Sequence, residues 1–276
     1  MKACYERRLE KSFRNAPVLS LGRCDKVVLF SDCHRGVGNT NDNFLKNQDL
    51  YFAALKYYYA AGFTYIELGD GEELWENRSF AAIREIHDNV YQLLSRFRDR
   101  GRLYMLCGNH DHVMKDCGEF PHEQGIVLKL CGAKRGKRQE LYLVHGHQAD
   151  ALNSTFWRLS RFLVRYLWQP LEELGVLDPT SAAKNYRRRT KSEKRLAAWA
   201  GKHNCYLAAG HTHRPTLGKE HPDYFNPGSC VHPYGVTCLE ITEGAISLVK
   251  WQTDTRPDRA LFVNRTVLAG PLELCE

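Results

Sequence analysis

At 276 residues the chain is long enough for one large α/β domain, and no second core is needed to account for it. Its 43% hydrophobic and 26% charged residues are ordinary for a soluble globular protein, and a net charge of +7 suits anionic substrates without singling out nucleic acid or a membrane surface. Ten scattered cysteines with no CxxC pair argue against a disulfide scaffold or a zinc ribbon and for reduced thiols in a cytoplasmic protein.

The opening MKACYERRLEKSFRNAP lacks the apolar core of a signal peptide, and no stretch is long and apolar enough to span a bilayer. KVVLFSD (26–32) is the first strand-like run, followed by a helical pattern over 47–61 carrying Leu50, Phe52, Leu55 and Tyr58. TYIELGD (64–70) is the second, followed by a helical pattern over 79–100 with Ile83, Val90, Leu94 and Phe97. RLYMLCGNHD (102–111), ELYLVHGH (140–147) and CYLAAGHTH (205–213) repeat the shape: a buried strand, then a tight turn bearing Asp, Asn or His. Strands alternating with helices predict a layered α/β fold, in which ligands gather beyond the carboxyl ends of the strands. The segment 148–201 interrupts this order with an unusually aromatic helical pattern, and is expected to form a helical cap near the mouth of the site. Beyond it, YFNPGS, VTCLEI and AISLVKW are expected as consecutive strands of a second, antiparallel layer, with one more strand around LFVNRTVL.

The turns collect Asp32 and His34, Asp70, Asn109, His145, His211 and His213. Carboxylate, imidazole and amide donors of this kind suit Mn²⁺, Fe²⁺ or Zn²⁺, and two such ions about 3.5–4 Å apart need a bridging carboxylate. A DxH or an HxH alone means little, whereas five elements in order, each at the end of an apolar strand, point to one shared metal site. Cys33, between two of these residues, faces away from them by strand alternation and reads as a small buried residue.

DCH (32–34), GDGEE (69–73), GNHD (108–111), HGH (145–147) and GHTH (210–213) together resemble the five ordered motifs of the calcineurin-like metallophosphoesterases. The resemblance implies a single domain over 1–276 built as a four-layer α/β/β/α sandwich, with 148–201 as a helical cap insertion. It implies that Asp32, His34 and His213 hold one metal, that Asn109, His145 and His211 hold the other, and that Asp70 bridges them. Two divalent ions are expected, Mn²⁺ first, with Fe²⁺, Zn²⁺ or Mg²⁺ as alternatives, and water activated between them is the implied nucleophile. His110 takes the place of the histidine that protonates the leaving oxygen in such enzymes. Glu73 takes the place of the acid that orients it, one methylene longer than the usual Asp. Arg35, His147 and Arg214, each beside a motif, are candidate substrate contacts. Asn226 and Ser229 in FNPGS either line the pocket or serve the turn.

The insertion is placed as in UDP-2,3-diacylglucosamine hydrolases, yet His110 stands where those carry arginine. The expected activity is metal-dependent hydrolysis of a phosphomonoester or phosphodiester on a small molecule. The alternative is a pyrophosphatase acting on a UDP-sugar or lipid-linked substrate. The cap aromatics Phe156, Trp157, Phe162, Tyr166, Leu167 and Trp168 fit packing better than an acyl channel or membrane contact. The basic run Arg187, Arg188, Arg189, Lys191, Lys194 and Arg195 lacks aromatic interleaving and contains Glu193, which disfavours nucleic acid as a partner.

Overall fold

In the computed structural model, which describes residues 3–39, 41–131, 138–154, 157–168 and 186–274, the chain is a mixed α/β protein with two sheets. The seven-stranded sheet has the order β13-β12-β11-β2-β3-β4-β5, formed by Leu261–Glu273, Ala245–Thr255, Val236–Thr242, Val27–Phe30, Thr64–Glu67, Leu103–Leu106 and His122–Glu123. Strands β2 to β5 run parallel, while β11 pairs antiparallel with β2 and continues the sheet through β12 and β13. The six-stranded sheet has the order β1-β6-β7-β8-β10-β9, formed by Val18–Leu21, Ile126–Leu130, Glu140–Val144, Tyr206–Ala209, Tyr224–Asn226 and Thr216–Leu217.

Side-chain alternation explains how the sheets stack. On β2, Val27 and Leu29 enter a cluster that also takes Leu128, Leu141 and Phe225 from the other sheet, whereas Val28 and Phe30 turn to the opposite face. That face is covered by α2 (Gln48–Ala60) and α4 (Asp88–Asp99), through Tyr51, Leu55, Tyr58, Val90, Leu94 and Phe97. The outer face of the six-stranded sheet packs Val144, Leu207 and Ala209 against Leu9 of α1 (Cys4–Phe13) and Leu196, Trp199 and Ala200 of α7 (Tyr186–His203). The helix expected over 79–100 is divided into α3 (Phe80–Ile86) and α4, with a break at His87. The His87 ring is buried there, sharing Nε2 with the Gly36 carbonyl and Asp42, and the chain bends to admit it.

All five site-bearing strands are present, but the late strands do not form one antiparallel layer. β10 lies parallel to β8 in the six-stranded sheet, and β11 to β13 extend the sheet that contains β2. The Pro227-Gly228 turn carries the chain from one sheet to the other, so consecutive strands part company. In the 148–201 segment the described residues form a short α5 (Ala151–Ser154), α6 (Trp157–Leu163), a π turn (Val164–Trp168) and α7. Phe156 lies outside the described residues; Leu196, Trp199 and Ala200 of α7 are core of the main body. No helix among the described residues is long and apolar enough to cross a membrane.

Candidate metal centre

Each proposed ligand sits just past the carboxyl end of a strand, and the two sheets contribute to one place. Asp32 and His34 follow β2, Asp70 follows β3 and Asn109 follows β4, all from the seven-stranded sheet. His145 follows β7, and His211 and His213 follow β8, from the six-stranded sheet. The turns are tied by backbone bonds from Asp32 N to Gly69 O, His34 N to Asp70 O and Arg35 N to Gly71 O. Asp32, His34, Asp70, His211 and His213 all have positive φ, between 49° and 66°, which is uncommon for residues other than glycine.

Close backbone approach explains the glycines of the motifs. A Cβ on Gly108 would lie 2.0 Å from Asp70 Oδ1, and one on Gly210 would lie 1.9 Å from Ser31 Oγ and 2.4 Å from Asp32 Oδ2. Both aspartates use one oxygen as a backbone anchor and keep the other for the site. Asp32 Oδ2 accepts from His211 N at 2.9 Å, leaving Oδ1 without a partner. Asp70 Oδ1 accepts from His110 N at 2.8 Å, leaving Oδ2 at 3.2 Å from His145 Nε2 and 3.9 Å from His34 Nε2.

Two nests of donor atoms result, one from Asp32, His34 and His213 and one from Asp70, His145 and His211. In the first, His213 Nε2 is 3.2 Å from Asp32 Oδ1 and 3.3 Å from His34 Nε2. For ligand bonds near 2.1 Å, neighbouring donors around a cation stand roughly 3.0–3.4 Å apart, so these separations fit a metal. Asn109 Oδ1 and His145 Nε2 are buried without hydrogen-bond partners, as is Asp32 Oδ1. Buried acceptor atoms without a hydrogen-bond partner are costly unless a cation satisfies them. The outer ring nitrogens are already committed: His145 Nδ1 donates to the Leu68 carbonyl at 2.9 Å, and His34 Nδ1 to Glu73 Oε2 at 2.7 Å. These bonds turn each Nε2 lone pair inward, as metal ligation requires.

Charge in the site follows from burial and close pairing. Burial disfavours charge on His145, yet the Asp70 carboxylate carries its pKa up to about 9. Asp32 and Asp70 are held below the usual carboxylate range by the imidazoles around them, against the pull of burial. His110 is also raised to about 9, burial being outweighed by Glu73 and Asp70. Protons thus hold the donors in balance until a cation displaces them.

His110 stands at the open side, with Nδ1 at 2.7 Å from Glu73 Oε1. Glu73 therefore bonds both His110 and the ligand His34, the second bond being one that the motif did not foretell. Trp75 stacks on His110 with ring centroids 4.1 Å apart. Arg165 of the π turn reaches over to this loop, donating to the Trp75, Leu74 and Asn77 carbonyls at 2.7, 2.9 and 3.2 Å. Neither Trp75, two residues past the acidic pair Glu72 and Glu73, nor Arg165 carries a motif signature.

The substrate-contact expectations fare differently. Arg35 is fully buried and turned into the protein, bonding Glu67 at 2.6 and 3.1 Å and Glu72 at 2.8 Å, so it cannot meet a phosphate. Arg214 is engaged by Glu193 at 3.1 Å and by Glu220, which leaves its guanidinium on two carboxylates rather than in the site. His147 is brought close to the second nest, its ring centroid 5.4 Å from that of His145, with Nδ1 unpartnered. Burial and the neighbouring imidazoles hold it well below the ordinary imidazole range, so it stays neutral. Asp150 Oδ2 approaches His211 Nε2 to 3.7 Å and accepts from Arg188 at 2.6 Å.

Asn226 serves the turn, bracing the GHTH loop through the Gly210 carbonyl and Thr212. Asp111 accepts from Gly71 N at 2.7 Å and Gly108 N at 2.6 Å, tying two ligand turns together. Glu72, Asp111 and His122 also gather; Glu72 Oε1 accepts from Arg35 and Tyr91 and Asp111 accepts from these amides, while Glu72 Oε2 and His122 Nε2 are buried without hydrogen-bond partners. Cys33 is buried away from the site, its Sγ 3.4 Å from Cys230 Sγ, as alternation predicts.

No family model and no curated protein matches the chain. Among solved structures, Vps29 of Chaetomium thermophilum is similar over 89% of this chain and 96% of its own, at 12% identity and a TM-score of 0.42. A cold-active protein tyrosine phosphatase of a psychrophilic Shewanella species is similar over 91% of this chain and 82% of its own, at 15% identity and a TM-score of 0.44. A point mutant of a cold-active protein tyrosine phosphatase covers the same shares at 16% identity and a TM-score of 0.47. Likeness at this level assigns neither activity nor substrate.

Proposed function

We propose that this protein is a two-metal phosphoesterase of the calcineurin-like type, hydrolysing a phosphomonoester or phosphodiester of a small molecule. The observation that carries the reading is the pair of donor nests, Asp32 with His34 and His213 and Asp70 with His145 and His211, beside which Asp32 Oδ1, Asn109 Oδ1 and His145 Nε2 are buried without hydrogen-bond partners. In this reading Asp32, His34 and His213 hold one divalent ion, Asn109, His145 and His211 hold the second, and Asp70 serves both, Mn²⁺ being the first choice. Bound there, two such ions would lower the pKa of water and neutralise charge on the phosphoryl oxygens.

The chain's own residues supply the rest. His110, partly exposed beside the nests, delivers a proton from its ring to the departing oxygen. Glu73 holds that ring by Nδ1, keeping Nε2 as the proton-carrying face, and Trp75 fixes its plane. The packing clusters support a single domain over 1–276 with four layers in the order helices, sheet, sheet, helices. The π turn, α6 and α5 then form the cap over the His110 side.

The test is hydrolysis of p-nitrophenyl phosphate and bis-p-nitrophenyl phosphate by stripped protein resupplied with Mn²⁺. Turnover is expected only with metal. Asn109→Ala and His110→Ala should each lower kcat by about 10²–10⁴-fold, the scale of a lost proton donor or metal ligand. Absence of both turnover and metal uptake would sink the reading. Two bound metals without turnover of either ester would move it to a pyrophosphatase of a UDP-sugar or lipid-linked substrate.

A further inference from the structure

A second site lies away from the metal centre, on the outer flank where α1 meets α7. Tyr5 of α1 and Tyr186, Arg187, Lys191, Lys194 and Arg195 of α7 line a groove of about 430 Å³. Arg187, Lys191 and Lys194 recur at spacings of four and three, which puts them on one helix face. All three are exposed, and among the described residues none has a hydrogen bond or a carboxylate partner. Glu193, the one acid in the basic run, is turned inward and buried, where it bonds Thr212 at 3.0 Å and Arg214 at 3.1 Å. The outer face is thereby left with cations alone.

Two aromatic rings flank the run, Tyr186 from the start of the same helix and Tyr5 brought to it by folding. Arg195 lies 5.3 Å over the Tyr5 ring, and Arg189 lies 5.4 Å over the Tyr186 ring. Tyr186 remains 67% exposed, so one face of its ring is open to a planar partner. Unpaired cations in a row beside an open aromatic ring match a sugar-phosphate backbone with unstacked bases. A lipid surface would ask instead for protruding apolar side chains beside the cations. The groove holds tyrosines and a concave wall.

We infer that this groove binds single-stranded nucleic acid, with Lys191, Lys194 and Arg187 on successive phosphates and a base on Tyr186. The helix that carries it also reaches the metal centre. Through Glu193, α7 bears on Thr212 between His211 and His213, so a strand in the groove lies about one helix diameter, roughly 10 Å, outside that turn.

The inference does not rest on the metal chemistry, and its test runs on the full chain in EDTA, where hydrolysis is silent. Anisotropy of a labelled 12-nucleotide single strand is measured from 50 to 200 mM salt for the wild type, Lys191→Ala/Lys194→Ala and Tyr186→Ala. Each phosphate contact contributes about 0.7 to the salt slope, so the double lysine variant should lower that slope by roughly 1.4. Tyr186→Ala should weaken binding about tenfold with the slope unchanged, because a stacked base carries no counterion. Circular dichroism of the variants separates lost binding from lost folding, since all three side chains are exposed. The inference is overturned if the wild type does not bind the strand. It is equally overturned if folded variants bind as the wild type does, or if vesicles with anionic lipid are bound and the strand is not.

Discussion

Because both oxygens of Glu73 are taken, one by His34 and one by His110, the side chain that steadies a ligand ring also steadies the proposed proton donor. A glutamine there keeps the size but offers one acceptor and one donor to two ring N–H groups. Glu73→Gln is expected to weaken Mn²⁺ binding and kcat together, each by about 10–100-fold, the usual effect of losing an outer partner of a ligand. Calorimetric titration of the metal alongside ester hydrolysis checks this; a change in only one of the two would mean that the bonds act separately. The titration of the same cluster makes metal-free stability depend on pH. His145 and His110, raised from 6.5 to about 9, contribute stability that is complete below pH 6.5 and is lost as pH rises through 9. Asp32 and Asp70, lowered from 3.8, contribute stability that is present above that value and lost as pH falls through their depressed pKa values. The melting temperature in EDTA should therefore fall between pH 6.5 and 9, and Mn²⁺ should remove most of that fall by replacing the protons. A flat profile in EDTA would contradict this account of the site's charge.

At the scale of elements, the π turn that holds Arg165 connects the segment after β7 to the loop behind His110. Its guanidinium makes three bonds to carbonyls of a loop that has no other regular structure to hold it. Arg165→Ala should lower kcat about tenfold, the worth of a charged hydrogen bond, while Mn²⁺ affinity stays at the wild-type value. Lysine at 165 reaches fewer carbonyls and should recover part of the loss. A matching fall in metal affinity would place Arg165 in the general fold instead. These contacts were illegible in the sequence because they join positions about 90 apart without a motif. The proposed donor residues were legible as a cluster for the opposite reason: each follows a short apolar strand, and the ends of such strands are where a sheet presents its turns. Adjacency failed for Arg35 and Arg214. Their guanidinium groups are taken up instead by Glu67 and Glu72 for Arg35 and by Glu193 for Arg214.

Across the whole molecule, the site is a seam. Four of the proposed donor residues come from one sheet and three from the other, so its geometry depends on how the two sheets pack through Leu29, Ile66, Leu141 and Ala208. The alternation of strands and helices made the layers legible, while the partition of late strands was not. β10 and β11 look alike as apolar runs, and the connection over 227–235 between them does not announce that they join different sheets. The groove on α7 was hidden in part: Tyr186 adjoins the cations in sequence, whereas Tyr5 joins them only when α1 lies beside α7.

The left-handed backbone at Asp32, His34, Asp70, His211 and His213 carries an energetic cost as well as a geometry. Nine described residues other than glycine have positive φ, and five of them are these proposed donors. Each such residue costs of the order of 1–3 kcal/mol relative to a relaxed backbone. Drift under selection for folding alone would tend to replace histidine at such positions with glycine, which takes up that conformation freely. Five strained positions that hold carboxylates and imidazoles therefore come at the expense of how firmly the chain folds, and glycine at any one of them relieves that strain.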